Sequence, residues 1–270
     1  MNGDPKMHGH ASGVVHIVGA GPGAPDLLTL RAAELLGEAN ILFYDALVHP
    51  DTIALATRAE KIAVGKRCGR HSTAQKFINK RLIDAAARYP IVVRLKGGDP
   101  MLFGRAQEEI AALEAAGVRY EITPGVTAAL AASADLRTSL TQRGIARSVA
   151  LATPRVAEGE APSDWARSVA AADTAAIYMG VGQAREIAAA LIAAGKPATT
   201  PVAIVESASL ANSRTVFTTL ASLPRLAGDF SGPTVILIGA QFRARAQIAG
   251  NIAVDHDSDT THRQRAHHNG

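Results

Sequence analysis

The sequence is poor in the residues and runs that mark secreted, membrane-spanning or nucleic-acid-binding proteins. Its 270 residues include a single cysteine, Cys68, which cannot form a disulfide within the chain, so we expect a reducing, cytoplasmic location. No apolar run approaches the roughly 20 residues that a membrane-spanning helix needs. Residues 1–12 are polar and lack the apolar core of a secretory signal. We therefore expect neither a membrane partner nor export.

Aromatic residues make up 4% of the chain, and lysine and arginine nowhere form a dense run. Modules that bind single-stranded nucleic acid stack bases on aromatic side chains, so we expect no nucleic-acid partner. The formal net charge is nevertheless +4 at pH 7, which favours an anionic partner such as a polycarboxylate. We expect no metal centre, because His267 and His268 lie in a polar terminal stretch without a cluster of further ligands.

The first half of the chain alternates between short β-rich runs and segments with apolar residues at helical spacing. Strands are predicted at residues 14–18, 41–44, 61–64, 91–95 and 118–122. Helices are predicted at residues 26–36, 73–88 and 105–116, with Ser72 or Thr73 as an N-cap and Gly117 as a C-terminal stop. This alternation is typical of a largely parallel sheet that helices cover.

Pro124 and Gly125 interrupt this alternation, and a second α/β unit follows them. Strands are predicted at residues 149–152, 174–179, 202–206, 215–218 and 233–239, and helices at residues 127–134 and 184–194. The strands at 202–206 and 215–218 are expected to pair antiparallel. The sequence thus predicts an α/β fold with two α/β domains at residues 14–123 and 124–243, and disordered tails at 1–13 and 244–270. A small-molecule cleft is favoured where the two domains meet.

The string GAGPGA at residues 19–24 follows a strand and precedes a helix. It matches the G-x-G-x-x-G/A fingerprint of dinucleotide-binding proteins, and Asp45 ends the second strand where a ribose-binding acid would lie. Pro22 and Pro25 weaken this interpretation because they remove backbone N–H donors from the turn that would hold a pyrophosphate. A turn that lets another ligand approach closely is equally consistent with the string.

Three further strings stand at predicted strand ends. KGGDP at residues 96–100 follows a strong strand, and its two glycines permit close backbone approach by a ligand. TPGVTAA at residues 123–129 enters a helix of small residues, and IYMG at residues 177–180 ends a strand. Charged residues also follow strands or lie in loops, and if they share one cleft they would bind carboxylates. They are Asp45, Lys66, Arg67, Arg70, Arg105, Arg143 and Arg147.

Taken together and in this order, the motifs resemble the uroporphyrinogen III C-methyltransferases of the tetrapyrrole methylase family. The similarity covers nearly all of residues 14–243. The strings that carry it are VGAGPG (18–23), LLTL (27–30), YD (44–45), VGKR (64–67), VRLKGGDP (93–100), FGR (103–105), EE (108–109), PGVTAA (124–129), YMG (178–180) and PVAIVE (201–206). A single string of this kind would be weak, but the ordered set is specific and outweighs the dinucleotide interpretation.

The resemblance implies two α/β domains of the tetrapyrrole methylase type with the cofactor cleft between them, and a homodimer. The cofactor would be S-adenosylmethionine, leaving S-adenosylhomocysteine, and its implied contacts are Pro22, Gly97, Gly98, Asp99, Leu102, Thr127, Ala128, Met179 and Ala208. Asp45 becomes a candidate proton acceptor and Lys66 a candidate proton donor. Arg105 joins the candidate catalytic residues, and the candidate substrate-carboxylate ligands are Arg67, Arg143 and Arg147, with Arg105 able to serve here too.

The resemblance also implies a reaction, in which two successive methyl transfers convert uroporphyrinogen III to precorrin-2 for sirohaem and cobalamin synthesis. A pyrrole carbon would attack a methyl group on an already positive sulfur, so positioning should carry most of the acceleration. The methylated macrocycle must then lose a proton, which a carboxylate such as Asp45 could accept.

Some residues depart from the family pattern, on the side of the cleft expected to hold substrate. Ala24 and Ala46 replace an acid and an arginine, residues 137–143 read RTSLTQR, and residues 153–155 read TPR. Three alternatives therefore stay open: methylation of a later precorrin, an NAD(P)-dependent oxidoreductase, and a tetrapyrrole-binding protein without activity.

Overall fold

Ten strands and nine helices lie in the part of the chain that the computed structural model describes, which is residues 13–64, 71–156, 159 and 163–248. The strands are β1 (Val14–Gly19), β2 (Ile41–Tyr44), β3 (Glu60–Ala63), β4 (Ile91–Lys96), β5 (Arg119–Thr123), β6 (Val149–Ala152), β7 (Thr174–Tyr178), β8 (Pro201–Glu206), β9 (Arg214–Thr219) and β10 (Thr234–Gly239). The helices are α1 (Leu30–Glu38), α2 (Pro50–Ala54), α3 (His71–Ala86), α4 (Ala106–Ala115), α5 (Ala128–Asp135), α6 (Trp165–Ala171), α7 (Ala184–Ala193), α8 (Leu223–Leu226) and α9 (Arg243–Ile248).

The strands form two sheets, one from each half of the chain. The first has the order β3-β2-β4-β1-β5, and all its pairs are parallel. The second has the order β6-β7-β10-β8-β9; β6 and β7 are parallel, and its other pairs are antiparallel. The predicted antiparallel pairing of the strands near 202–206 and 215–218 is confirmed. Because the first sheet is parallel, the carboxyl ends of its strands lie at one edge, where ligands of α/β proteins bind.

Both faces of the first sheet are buried, as is usual for parallel sheets. Ile17, Phe43 and Val92 pack on one face beneath α3 and α4, whereas Val18 and Leu95 pack on the other beneath α1. Side chains along a strand alternate between faces. Arg94 and Lys96 are the second and fourth residues after Val92 in β4, so these two charged residues also lie on the α3–α4 face.

The second sheet is also covered on two sides. Ile177 and Ile204 face a cluster with α6, α7 and α8, and the opposite face packs against the small residues of α5, among them Ala129 and Ala132. Alanine side chains let α5 approach the sheet closely, and the N-terminus of α5 follows the Pro124-Gly125 turn. None of the helices in the described part of the chain is long and apolar enough to cross a membrane.

Several helix boundaries differ from those predicted. The helix expected from residue 26 begins at Leu30, because residues 25–27 form a 3-10 turn and the hydroxyl oxygen of Thr29 caps α1 by accepting a hydrogen bond from Ala32 N at 3.2 Å. The α3 helix already starts at His71, so Ser72 and Thr73 lie inside it and are not its caps. The stop at Gly117 is confirmed by its φ of 66°.

The first residues of the segment predicted as a tail, 244–270, are helical in the structure. The α9 helix runs from Arg243 to Ile248, and Ala246 is fully buried against the second sheet's elements. The short helices α2, α6, α8 and α9 carry little periodic signal of their own, and tertiary packing decides them. Cys68, His267 and His268 lie outside the described residues, as do residues 1–12 and 249–270.

Candidate active site

Two glycine turns meet at the carboxyl edge of the first sheet. Gly98 N donates a hydrogen bond to Gly21 O at 2.7 Å, and Gly21 N donates to Gly98 O at 3.2 Å. These bonds join the turn after β1 to the turn after β4, beyond the last regular pairing of the two strands. Gly98 has a φ of 67°, and no atom of the described residues lies within 4 Å of its Cβ position, so a ligand could approach this part of the backbone.

A third turn, before α5, packs into the same place. A Cβ on Gly19 would lie 2.6 Å from Gly125 N, and a Cβ on Gly125 would overlap Gly98 O. Asp99 ties these turns together, because its Oδ2 accepts from Gly125 N at 2.9 Å and its Oδ1 from Met101 N at 2.7 Å. The close approach therefore needs glycine at positions 19 and 125, and Asp99 orders the backbone around the candidate cleft.

The second sheet contributes its side of the cleft through Tyr178, at the end of β7. The Tyr178 hydroxyl shares a hydrogen bond with Thr127 Oγ1 at 2.7 Å and accepts another from Ala129 N at 3.2 Å. Its ring centroid lies 5.2 Å from that of Phe103, in the loop after β4. Burial raises the pKa of Tyr178, so its hydroxyl stays neutral. This residue links both sheets next to Met179, which is 45% exposed.

The loop after β8 closes another side. Ala24 N donates to Ser209 Oγ at 3.0 Å, and a Cβ on Gly23 would lie 2.9 Å from Leu210 Cγ. These contacts bring Ala208, which lies between Ser207 and Ser209, close to the turn that contains Pro22. The turn at residues 19–24 thus has little donor capacity left for a pyrophosphate, since Gly21 and Ala24 donate within the protein and Pro22 has no N–H. The dinucleotide interpretation is disfavoured.

Several residues around the same cleft have strained backbone conformations. Five non-glycine residues with positive φ lie in its loops, and such conformations persist mainly where surrounding structure enforces them, often at functional sites. They are Phe103, Arg105, Met179, Ser207 and Ser209, with φ from 53° to 72°.

Asp45 follows β2 and is bound by a buried arginine. Its Oδ1 accepts from Arg94 Nη2 at 2.6 Å, and its side chain is 29% exposed. Arg94 Nε and Lys96 Nζ both donate to Glu109 Oε1, at 3.0 and 2.9 Å. Although burial opposes its charge, the carboxylates of Asp45 and Glu109 raise the pKa of Arg94. Burial, followed by the charge of Arg94, lowers the pKa of Lys96.

Arg105 precedes α4 at the rim of the cleft and forms a two-point ion pair with Glu108. Its Nε and Nη2 lie 2.6 and 2.7 Å from the two carboxylate oxygens. The hydrogen bond from Arg105 lowers the pKa of Glu108. Leu102 lies in the same loop, where its N–H donates to Asp99 O at 3.3 Å.

The structure does not bring all the predicted residues together. Arg147 N donates to Asp173 Oδ2 at 2.8 Å, just before β7, whereas Met179 follows the other end of that strand. At a rise of about 3.3 Å per residue the two ends lie roughly 20 Å apart. Arg143 is exposed in the turn at residues 142–146, which leads into the same distant end. Lys66 and Arg67 lie outside the described residues.

Three buried charged residues of the site were not among those predicted from the sequence, namely Arg94, Lys96 and Glu109. A signal for them existed, because Arg94 and Lys96 alternate with apolar residues in a strand that is predicted to be buried, and buried charges require partners. The sequence could not show which carboxylates pair with them. No group of three or more metal-ligating side chains occurs among the residues that the structure describes.

Most of the chain matches one family of known proteins. Residues 14–224 match the family model of the Tetrapyrrole (Corrin/Porphyrin) Methylases. The chain therefore belongs to the tetrapyrrole methylase family, and the predicted family, α/β fold class and methyltransferase class are confirmed.

Similar solved structures cover most of the chain. The native form of uroporphyrin III C-methyl transferase from Thermus thermophilus is 40% identical, covers 86% of this chain and 100% of its own, and has a TM-score of 0.76. Its complex with S-adenyl homocysteine is 39% identical, with the same coverage and a TM-score of 0.75. A cobalt precorrin-4 methyltransferase is 28% identical, with a TM-score of 0.71 and coverage of 85% and 95%.

Among curated proteins, the siroheme synthase of Pseudomonas fluorescens (strain Pf0-1) is 41% identical over 250 residues. That alignment covers 90% of this chain but 54% of the relative. The chain thus spans about half the length of the curated relatives it matches.

Proposed function

We propose that this chain transfers methyl groups from S-adenosylmethionine to uroporphyrinogen III, with two transfers giving precorrin-2. The observation that carries the proposal is the convergence of the turns at Pro22, Gly98 and Thr127 with Met179 around one cleft. A relative with 39% identity has been solved with S-adenyl homocysteine. We restrict the proposal to methyl transfer, because the chain spans about half the length of the siroheme synthases that it matches.

The residues of the cleft suit an adenosyl ligand. The open Cβ position of Gly98 leaves room for a ligand beside this turn, and among the described residues Leu47 Cβ, at 3.3 Å, is the one atom near a Cβ on Gly97. Exposed Met179 and the loop of Leu102 supply apolar contact area. When bound, the cofactor supplies an electrophilic methyl group on a positively charged sulfur. The remaining predicted contacts of this cofactor, Asp99, Ala128 and Ala208, line or order the same turns.

Asp45 is the proposed proton acceptor. Arg94 engages its Oδ1, which leaves Oδ2 as the oxygen that would receive the proton released by the methylated macrocycle. Asp45 is partly exposed, whereas its partner Arg94 is buried, so the carboxylate marks the boundary between the protein interior and the cleft. Lys66 is the proposed proton donor, and Arg67 and Arg105 are proposed to bind substrate carboxylates, as the positive net charge favours.

Calorimetry with S-adenosylhomocysteine and transfer of a labelled methyl group to uroporphyrinogen III test the proposal. We expect binding and transfer by the wild-type chain, and loss of transfer with intact binding in Asp45→Asn. Asp51→Asn, which changes an exposed carboxylate in α2, is the matched control and should transfer normally. Binding without transfer would support the non-catalytic alternative, and NADH binding in place of S-adenosylhomocysteine would support the oxidoreductase.

A later precorrin is the second candidate acceptor. The altered strings at residues 137–143 and 153–155 favour it, as does the 28% identity to a cobalt precorrin-4 methyltransferase. Side-by-side transfer assays with both acceptors decide, and a preference for uroporphyrinogen III removes this candidate. Homodimerisation and a cytoplasmic location stay predictions, and sedimentation of the purified chain checks the first.

A further inference from the structure

A group of buried charges lies beneath Asp45, on the face of the first sheet that α3 and α4 cover. Its members are Arg94, Lys96 and Glu109, whose side chains are each at most 4% exposed. Burying ions is costly, and well-packed apolar residues of similar size often stabilise a fold as well or better. Ile110 of the same helix packs against this sheet with an apolar side chain. Packing of α4 therefore does not by itself account for a carboxylate at position 109.

Arg94 stands between two carboxylates. Its Nη2 donates to Asp45 Oδ1 at 2.6 Å, its Nε to Glu109 Oε1 at 3.0 Å, and its Nη1 to Leu95 O at 3.2 Å. A guanidinium is planar and rigid, so fixing one edge also fixes the direction of the other. The position of the Asp45 carboxylate therefore depends on what holds Arg94 from the opposite side.

Glu109 is that anchor. Its Oε1 accepts from Arg94, from Lys96 Nζ at 2.9 Å and from Gln75 Nε2 at 3.3 Å. Its side chain is fully buried, and its Oε2 has no hydrogen-bond partner among the described residues. Of the four charged groups in this network, Asp45 alone reaches the cleft, with 29% of its side chain exposed.

We propose that Glu109 is a positioning residue for methyl transfer, which acts through Arg94 to hold the Asp45 carboxylate where it receives the proton. This inference rests on the proposed function and extends it to a residue remote from the ligand. In the step concerned, a C–H bond of a methylene bridge next to the methylated pyrrole breaks, its electron pair neutralises the cationic macrocycle, and the proton passes to Asp45 Oδ2. Glu109 neither gains nor loses a proton in this step.

The test compares Glu109→Gln with wild type in single-turnover methyl transfer. The variant keeps the size of the side chain and removes its charge, so Arg94 loses its ionic anchor. Misplacement of a reacting group by about 1 Å can cost on the order of 100-fold in rate, so we expect the transfer rate to fall about 10- to 100-fold. The affinity for S-adenosylhomocysteine should stay within about twofold, since the hydrogen bonds of Glu109 go to Gln75, Arg94 and Lys96 and not to Gly97, Gly98 or Asp99.

A double-mutant cycle separates positioning from a merely structural role. If Glu109 acts through Asp45, then Glu109→Gln should slow Asp45→Asn by less than about twofold, because the group that it positions is already lost. Asp173→Asn is the matched control, since Asp173 accepts three hydrogen bonds at the far end of β7. It should leave the transfer rate unchanged in both backgrounds.

Each outcome bears on the inference. Independent, multiplying effects of Glu109→Gln and Asp45→Asn overturn it, and so does an unchanged rate in Glu109→Gln. An unaffected Asp45→Asn removes both this inference and the proton-acceptor role but leaves methyl transfer standing, and absence of transfer in wild type removes the proposed function as well. If Glu109→Gln does not fold, Glu109→Asp keeps the buried charge but withdraws it by one methylene, and the same cycle applies.

Discussion

Substitution of Gly125 by alanine tests whether the three turns really meet as closely as the structure shows. The new Cβ would lie 2.9 Å from Gly19 Cα and 3.1 Å from Gly19 C, and it would overlap Gly98 O. All three neighbours are backbone atoms, which cannot rotate out of the way as a side chain could. The turns must therefore separate by several tenths of an ångström or more.

The expected cost follows from these contacts. Overpacking in a tight site costs about 1–3 kcal/mol. Separation of the turns also strains the hydrogen bond from Gly125 N to Asp99 Oδ2, which contributes about 1 kcal/mol in a typical protein. We therefore expect Gly125→Ala to lose about 2–4 kcal/mol of unfolding free energy, or roughly 4–16 °C in Tm for a protein of this size.

Ligand binding should fall as well, because the same turns form the proposed cofactor cleft. A loss of about 1.4 kcal/mol or more in binding corresponds to at least about tenfold in Kd for S-adenosylhomocysteine, measured by calorimetry. Gly37→Ala is the matched control, since Gly37 lies in α1 and a Cβ there would have no neighbour within 4 Å in the part of the chain that the structure describes. It should stabilise the chain by about 0.5–1 kcal/mol and leave Kd unchanged. Equal Tm and Kd values for the two variants would refute the convergence of the turns.

Further predictions concern Tyr178 and Asp173. Tyr178→Phe keeps the ring contact with Phe103 but leaves Ala129 N and the Thr127 hydroxyl without this partner. An unpaired buried group costs about 1–3 kcal/mol, so the free energy of unfolding should fall by that amount, and an unchanged denaturation midpoint would contradict this. Hydrogen bonds from Arg147 N and, to a smaller extent, from Ser148 lower the pKa of Asp173 in the folded protein. The ionised Asp173 therefore stabilises the fold above the ordinary aspartate pKa of 3.8, and this stabilisation is lost as the pH falls through the lower pKa of the folded state. Thermal unfolding from pH about 5 to about 2 should therefore show a shallower acid loss in Asp173→Asn than in wild type, and parallel curves would argue against that contribution.

Most of the regular structure was predictable from the sequence, because its signal is local. β1 and β2 were predicted within one residue of their bounds, since a short run of β-branched and aromatic residues is sufficient evidence for a strand. The pairing of β8 with β9 was likewise predicted from two neighbouring runs. The start of α1 was predicted at residue 26 and lies at Leu30, because Pro25 and Asp26 are residue types that favour the first turn of a helix.

The cleft was predictable only in part. Its glycine turns stand at strand ends, and a parallel sheet brings such ends to one edge whatever the rest of the chain does. The positions of the arginines could not be predicted, because the sequence does not show at which end of the sheet the loop that carries each arginine lies. Arg147 was predicted near the substrate, but its N–H is bound at the start of β7, away from Met179.

By itself the sequence determined the strands, the turns that follow them and the family to which the motifs belong, since these depend on residues close together in the chain. Only the tertiary structure decided which charges meet. Asp45, Arg94 and Glu109 belong to β2's end, β4 and α4, and they join because parallel pairing of β2 with β4 and the packing of α4 across them place three distant segments on one face. The sequence of a buried strand can show that an arginine needs acidic partners, but the fold decides that these partners are Asp45 and Glu109.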